Sequence, residues 1–228
     1  MSGAETGTMW LHRRTLILLA ASLTACHAAT PSFTDAFHEQ RADLAATGRN
    51  PFFILEPGHQ VTLEDGGERL VITVLIDTQL VDSVWTRVVE ERETIDGKLT
   101  EISRNFFAIS TRTGNVYYFG EDVDVYENGS VTSHEGAWRS GVNGARFGLM
   151  MPAVPLLGAR YQQETAPGVA MDRATIVALD DTLTTPAGRF ERVLQVEEGT
   201  ELEPGVRESK WYAPGVGLIR DASLRIVK

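Results

Sequence analysis

The sequence predicts an all-β fold, an antiparallel meander that forms a strongly curved sheet or partly closed barrel, and three observations predict it. From Val61 onward apolar residues recur with a period of two, and β-branched residues dominate. Two-residue hairpin signals stand at Asp96-Gly97 and Asn128-Gly129, with further turn signals at Pro186-Ala187-Gly188, Pro204-Gly205 and Pro214-Gly215. Beyond residue 50 no helical pattern of more than three turns appears. The spacing of the turns gives about ten strands. A sheet of that size must curl or close to hide its apolar face and its edges. A two-sheet sandwich is the second architecture the pattern allows.

Taken in order, the chain divides into 1–25, 26–50 and a single β domain over 51–228. Residues 26–50 read as a tether that offers a short helix from Thr34 to Thr47, with Thr34 as N-cap and Gly48 as stop. Pro51 and Pro57 bracket a short apolar strand. In "RLVITVLIDTQLV", Leu70, Ile72, Val74 and Ile76 share one face, and Val71, Thr73 and Leu75 the other. "VWTRVVEERETIDGKLTEISRNFFAIS" reads as two strands joined at Asp96-Gly97, and "NVYYFGEDVDVYENGSVTSHEGAW" as a hairpin about Asn128-Gly129. The strands resume in "ARYQQET", "MDRATIVALDDTLTTPAGRFERVLQVEE" and "RESKWYAPGVGLIRDASLRIV".

The first 25 residues carry an address. His12-Arg13-Arg14 is a positive segment before the apolar run Leu16–Ala25, which is long enough for a signal peptide and too short to span a bilayer. Leu23-Thr24-Ala25-Cys26 resembles the bacterial lipobox, a Leu, two small residues and a Cys. The resemblance implies that Cys26 becomes a diacylglyceryl-bearing N-terminus, held in the membrane by burial of its acyl chains. His27 follows the cysteine. An Asp there would favour the inner membrane, so the expected address is the periplasmic face of the outer membrane. "RRTLI" also resembles a twin-arginine signal, and Met9 is an alternative start to Met1.

Charge and cysteine content exclude several classes. The chain has 228 residues, 43% hydrophobic and 23% charged, with a formal net charge of -10. An acidic body argues against nucleic acid, which binds through Lys/Arg clusters. It suits a cationic ligand or a divalent metal. Cys26 is the one cysteine, so no disulfide forms within the chain and stability must come from a packed core.

The ending Trp211–Asp221, "WYAPGVGLIRD", together with "AGRFERVLQVEE" and the block from Asn115 to Glu164, resembles a recurrent pattern in secreted bacterial β-meander lipoproteins. The likeness covers most of residues 51–228. It implies a curved antiparallel sheet and export, and it brings no activity and no site residues.

Four constellations are candidates for chemistry. Asp124–Glu135 laid against a calcium loop places Asp124, Asn128, Thr132 and Glu135 at ligand positions around Gly129, but Tyr126 occupies a place that needs an oxygen ligand and the flanks alternate like strands. An Asn-Gly hairpin with solvated acids explains the same residues. His38, His59 and His134 have no zinc-ligand spacing, and no nucleophile elbow is present. Glu164 and Asp172 flank Pro167-Gly168 and form a carboxylate pair suited either to acid/base work or to an ion pair with Arg160 or Arg173. The stretch from Trp138 to Tyr161 is too irregular for a strand and too apolar for a solvated loop, so it either plugs the barrel end or serves as a binding loop.

The expected function is therefore a lipid-anchored periplasmic binding or accessory protein for an apolar or amphipathic ligand or an envelope protein. Trp138, Phe147, Met150, Met151 and Tyr161 supply contact area, and Arg139, Arg146, Glu164 and Asp172 orient a polar group. No catalytic residue and no cofactor is assigned. The alternatives are a hydrolase using Glu164 and Asp172 with His134, and a structural envelope lipoprotein with a calcium-dependent acidic surface.

Overall fold

A computed structural model describes residues 32–228, so Cys26, the signal segment and the start of the tether lie outside the described residues. The strands are β1 (Leu44–Ala45), β2 (Gln60–Asp65), β3 (Glu68–Val81), β4 (Val84–Ile95), β5 (Lys98–Ser110) and β6 (Val116–Glu127). They continue as β7 (Ser130–Ser133), β8 (Trp138–Arg139), β9 (Arg146–Met151), β10 (Arg160–Gln162) and β11 (Glu164–Thr165). The last five are β12 (Asp172–Thr185), β13 (Gly188–Thr200), β14 (Glu208–Ala213), β15 (Gly217–Asp221) and β16 (Leu224–Ile226). All belong to one sheet of 16 strands, more than the turn spacing predicts because bulges and short pairings divide the longer runs.

The sheet closes through one shared segment. Its order runs β10-β12-β13-β14-β15-β16-β2-β3-β4-β5-β6-β9-β11. The two ends, β10 and β11, are consecutive in the chain, separated by Gln163. Arg160–Gln162 pairs with β12 on one side, and Glu164–Thr165 pairs with β9 on the other. The seam left between β9 and β10 is met by the incoming chain. Thr34 donates its N–H to Arg160 O at 2.9 Å, and Gln162 N donates to Thr34 O at 2.8 Å. Closure also explains Gly148, since a Cβ there would stand 2.4 Å from the Gln163 carbonyl oxygen.

Turn chemistry follows the sequence where Asp-Gly and Asn-Gly occur. Asp96 and Gly97 have φ of 50° and 74°, and Asn128 and Gly129 have 53° and 80°, as a two-residue hairpin turn requires. Three local expectations are overturned. No helix forms over Thr34–Thr47; a single 3-10 turn occupies Arg41–Asp43 and β1 follows, pairing with Ser110 and Ile109 of β5. This segment is bound outside the barrel by polar contacts: Arg41 to Asp82 at 2.7 Å and Arg112 to Glu39 at 3.1 Å.

The second overturned expectation is the strand between Pro51 and Pro57. Asn50, fully buried, accepts the Phe52 N–H at 2.8 Å and donates to Gly114 O at 2.9 Å, turning the chain inward. Phe53 then meets Phe107 edge-on at 4.9 Å, and Leu55 is completely covered. This segment, with its aromatic side chains, closes the apolar end that the Trp138–Tyr161 stretch was expected to close. The third is the strand face through Ile76. A bulge between Val74 and Thr78 breaks the alternation, and Ile76 is 82% exposed. The buried Arg87 collects the freed carbonyls, donating to Ile76 O at 2.6 Å and Asp77 O at 3.2 Å. Burial lowers the pKa of its guanidinium, which nonetheless stays charged.

Candidate ligand-binding site

Directly paired residues of an antiparallel ladder face the same way, so the register gives the lining of the barrel row by row. One row runs Val74, Val89, Asn105, Glu121; the next runs Ile72, Glu91, Ser103, Val123. On the opposite wall, Ile176, Val196, Lys210 and Asp221 form a row, flanked by Ala174 paired with Glu198. On β4, β13 and β14 the inward residues change from polar to apolar within two positions. Glu91 gives way to Val89, Glu198 to Val196 and then Leu194, Lys210 to Tyr212. The lumen thus has an apolar end and an acidic end.

A cavity of about 80 Å3 spans the boundary between them. Phe53, Val74, Val89, Phe107, Met150 and Tyr212 form its apolar wall, and Glu91, Lys210 and Asp221 its polar wall. Lys210 Nζ lies 3.0 Å from Glu198 Oε2 and 3.6 Å from Asp221 Oδ2. Burial opposes the charge of this ammonium, but Glu198 and Asp221 outweigh it and hold its pKa well above the ordinary lysine range. The lysine is therefore already neutralised by two carboxylates, and Glu91 feels it at longer range.

Those acids are perturbed as crowded, desolvated carboxyls should be. Burial pushes Glu91 up to about 7, with Lys210 pulling it down and Asp221, Glu93 and Glu101 pushing it further up. The interaction of Glu91 with Lys210 and Asp221, which stand on strands far from β4 in the sheet, is made across the lumen. Burial also pushes Glu121 up to about 7, opposed by a hydrogen bond from Tyr118 and reinforced by Glu91, Glu101 and Asp172. Glu164 is nearly inaccessible, and burial raises its carboxyl well above the usual range, aided by Asp172. Its Oε1 accepts the Asp172 backbone N–H at 2.6 Å. Glu93, Glu101, Asp172 and Asp221 are raised too, each chiefly by burial.

Neutral donors and acceptors complete the acidic end. Gln163 Nε2 donates to Glu198 Oε1 at 2.8 Å, and the Tyr118 hydroxyl donates to Asn105 Oδ1 at 2.5 Å. The Tyr161 hydroxyl is buried with no hydrogen-bond partner among the described residues, and it lies within electrostatic reach of Glu198.

The structure divides the residues singled out from the sequence. Of these Met150 lines the cavity; Tyr161 pairs with Ala174 on the inward face, Asp172 shares that parity at the exposed rim, and Glu164, paired with Phe147, is buried beside Asp172. Trp138 pairs opposite Glu121 and meets the Tyr118 ring edge-on at 5.2 Å, covering that side of the acidic end. Arg139 faces outward, 4.2 Å above the Phe106 ring and 2.7 Å from Asp122. Arg146 is exposed, 3.9 Å from Asp35. Phe147 stacks on Phe119 at 4.6 Å, and Met151 is buried on the side of β9 opposite Met150.

The calcium-loop residues lie along the β6–β7 hairpin. Asp124 contacts Arg104 at 3.1 Å and His134 at 3.0 Å, Asn128 occupies the turn, Thr132 Oγ1 donates to Val125 O at 3.4 Å, and Glu135 follows β7. Among the described residues no group of three or more His, Cys, Asp or Glu is arranged to hold a metal ion. His134 is on this outer surface, apart from Glu164 and Asp172.

Glu91, Glu93, Glu101, Glu198, Lys210 and Asp221 were not singled out from the sequence, and Glu121 only as a surface calcium ligand with Asp122. The signal that finds them is a carboxylate at an inward position of a strand, as in Glu91 sharing parity with Val89. Comparison of the chain with models of known protein families, with curated proteins and with solved structures brings no match.

Proposed function

We propose that this chain is a lipid-anchored binding protein of the bacterial envelope, held at the periplasmic face of the outer membrane through Cys26, whose barrel lumen takes a small amphipathic cation. One observation carries the reading: a single cavity joins an aromatic and aliphatic wall to Glu91, a carboxylate whose pKa burial pushes up, beside a lysine already paired with Glu198 and Asp221. An ammonium group placed against Glu91 answers that charge, while its short apolar part lies against Val89, Phe107 and Met150. A cavity of about 80 Å3, about half of one that admits benzene, suits an amine of one or two carbons and excludes a long-chain lipid.

Binding is linked to protons. Glu91 and Glu121 share pKa values of about 7, so an arriving cation displaces protons from them near neutrality. Isothermal titration of the mature protein with ethylamine, ethanol and acetate tests this. The amine should bind, the other two should not, and its affinity should rise about tenfold between roughly pH 6 and 8 as the carboxyls ionise. Glu91→Gln should weaken the amine about tenfold. Equal binding of ethanol and ethylamine, or no binding of any amine, would overturn the reading. Native mass spectrometry of protein from its host then identifies the natural occupant.

A further inference from the structure

The turn between β9 and β10, residues 152–159, has the sequence Pro-Ala-Val-Pro-Leu-Leu-Gly-Ala and no charged residue. Val154, Leu156 and Leu157 are 75%, 66% and 68% exposed. Turns ordinarily carry polar residues and Gly or Pro, and three large apolar side chains on one tip mark a contact surface. The turn is fixed in this outward form. Ala153 N donates to Asn115 Oδ1 at 2.9 Å, Ala159 N to Leu156 O at 2.9 Å, and Gly158 N to Ile176 O at 2.8 Å.

What covers this surface follows from where the chain enters the domain. A groove of about 250 Å3 is lined by Thr34 together with Leu149, Pro152, Val154 and Leu156. Thr34 is hydrogen-bonded to β10 on both sides of its peptide. Cys26 precedes Ser32 by six residues, which reach at most ~21 Å when fully extended. The lipobox reading puts acyl chains on Cys26, so the anchor is bound to stay near the apolar turn. We propose that residues 152–159 rest in the lipid leaflet beside the acylated N-terminus, with Val154, Leu156 and Leu157 inserted at the level of the headgroups and upper acyl carbons. The inference rests on the lipobox reading and is independent of what the lumen holds. Because the same turn joins β9, which bears Met150, to β10, which bears Tyr161, the seam of the barrel then faces the bilayer.

The test uses the mature chain purified from membranes and reconstituted in phosphatidylcholine vesicles brominated at the upper acyl carbons. The added emission of Leu157→Trp should be quenched by about half, whereas Ile76→Trp, on the exposed β3 bulge, should be quenched no more than the parent. In a second readout, Leu156→Ser/Leu157→Ser should transfer between vesicles about tenfold faster than the parent, since less apolar surface holds it. An acylated protein whose Leu157→Trp emission is unquenched, or whose double variant transfers at the parent's rate, refutes the docking while leaving the anchor standing. Mature protein whose mass shows no acyl group removes the anchor and the docking with it.

Discussion

The two ends of the barrel lumen are built by the same strands under the same inward alternation, yet they behave as different materials. Ile176, Val196 and Leu194 pack among apolar residues, and Ile176 and Leu194 are wholly covered. Glu91 stands two residues from Val89, Glu198 two from Val196 and Lys210 two from Tyr212. The apolar end holds the barrel together by burial, which is indifferent to pH. The acidic end retains carboxyls in a place where each ionisation is opposed by burial and by the next carboxyl. A small β domain tolerates such a set when the apolar end supplies the stability, and a set so costly to ionise points to a binding role.

That contrast can be broken most sharply at Lys210. Lys210→Met leaves Glu198 and Asp221 without their cation, and urea unfolding should show a loss of about 3–4 kcal/mol near neutral pH, shrinking in acid as the carboxyls protonate. At the other end, Leu194→Ala should cost about 2–3 kcal/mol, the same in acid as at neutrality.

A smaller effect separates the ends by pH alone. Glu91 and Glu121 have folded-state pKa values raised to about 7, so their contribution to stability is present below the ordinary glutamate range and is lost as pH rises through about 7. Thermal melts should therefore show the protein losing about 1–2 kcal/mol between roughly pH 5 and 8, allowing for solvent in the lumen. Glu91→Gln/Glu121→Gln should flatten that slope, and a slope unchanged in the double variant would mean the acids are solvated after all. The smallest effect belongs to the outside of the barrel. Arg189 lies 3.6 Å from Glu191 with both side chains well exposed, and Arg189→Ala should change stability by under about 0.5 kcal/mol at any pH.

Much of the local structure was legible in the residues. Asp96-Gly97 and Asn128-Gly129 named their hairpins because only residues that accept positive φ fit those turns. The alternation in β3 and β4 gave strands but failed at Ile76, where a bulge held by Arg87 turned the face outward; a bulge leaves no trace in a period-two pattern. The apolar run after Asn50 looked like a strand because its hydrophobicity was read without the inward turn that Asn50 makes through distant carbonyls. Of the binding residues, Tyr161, Glu164 and Asp172 drew notice by their place near an irregular, apolar stretch. Glu91 and Lys210 sat inside ordinary-looking strands and did not.

By itself the sequence determined that the chain is antiparallel β, where several hairpins turn, and which two sets of residues each strand presents. Only the tertiary structure decided that the segment from Arg160 to Thr165 serves both ends of the sheet and closes it, and that acids from β4, β13 and β15 meet around one lysine. Periodicity is a property of neighbours along the chain and fixes a face. Which faces look at each other across a lumen depends on strand order and closure, which arise from contacts between residues far apart in sequence.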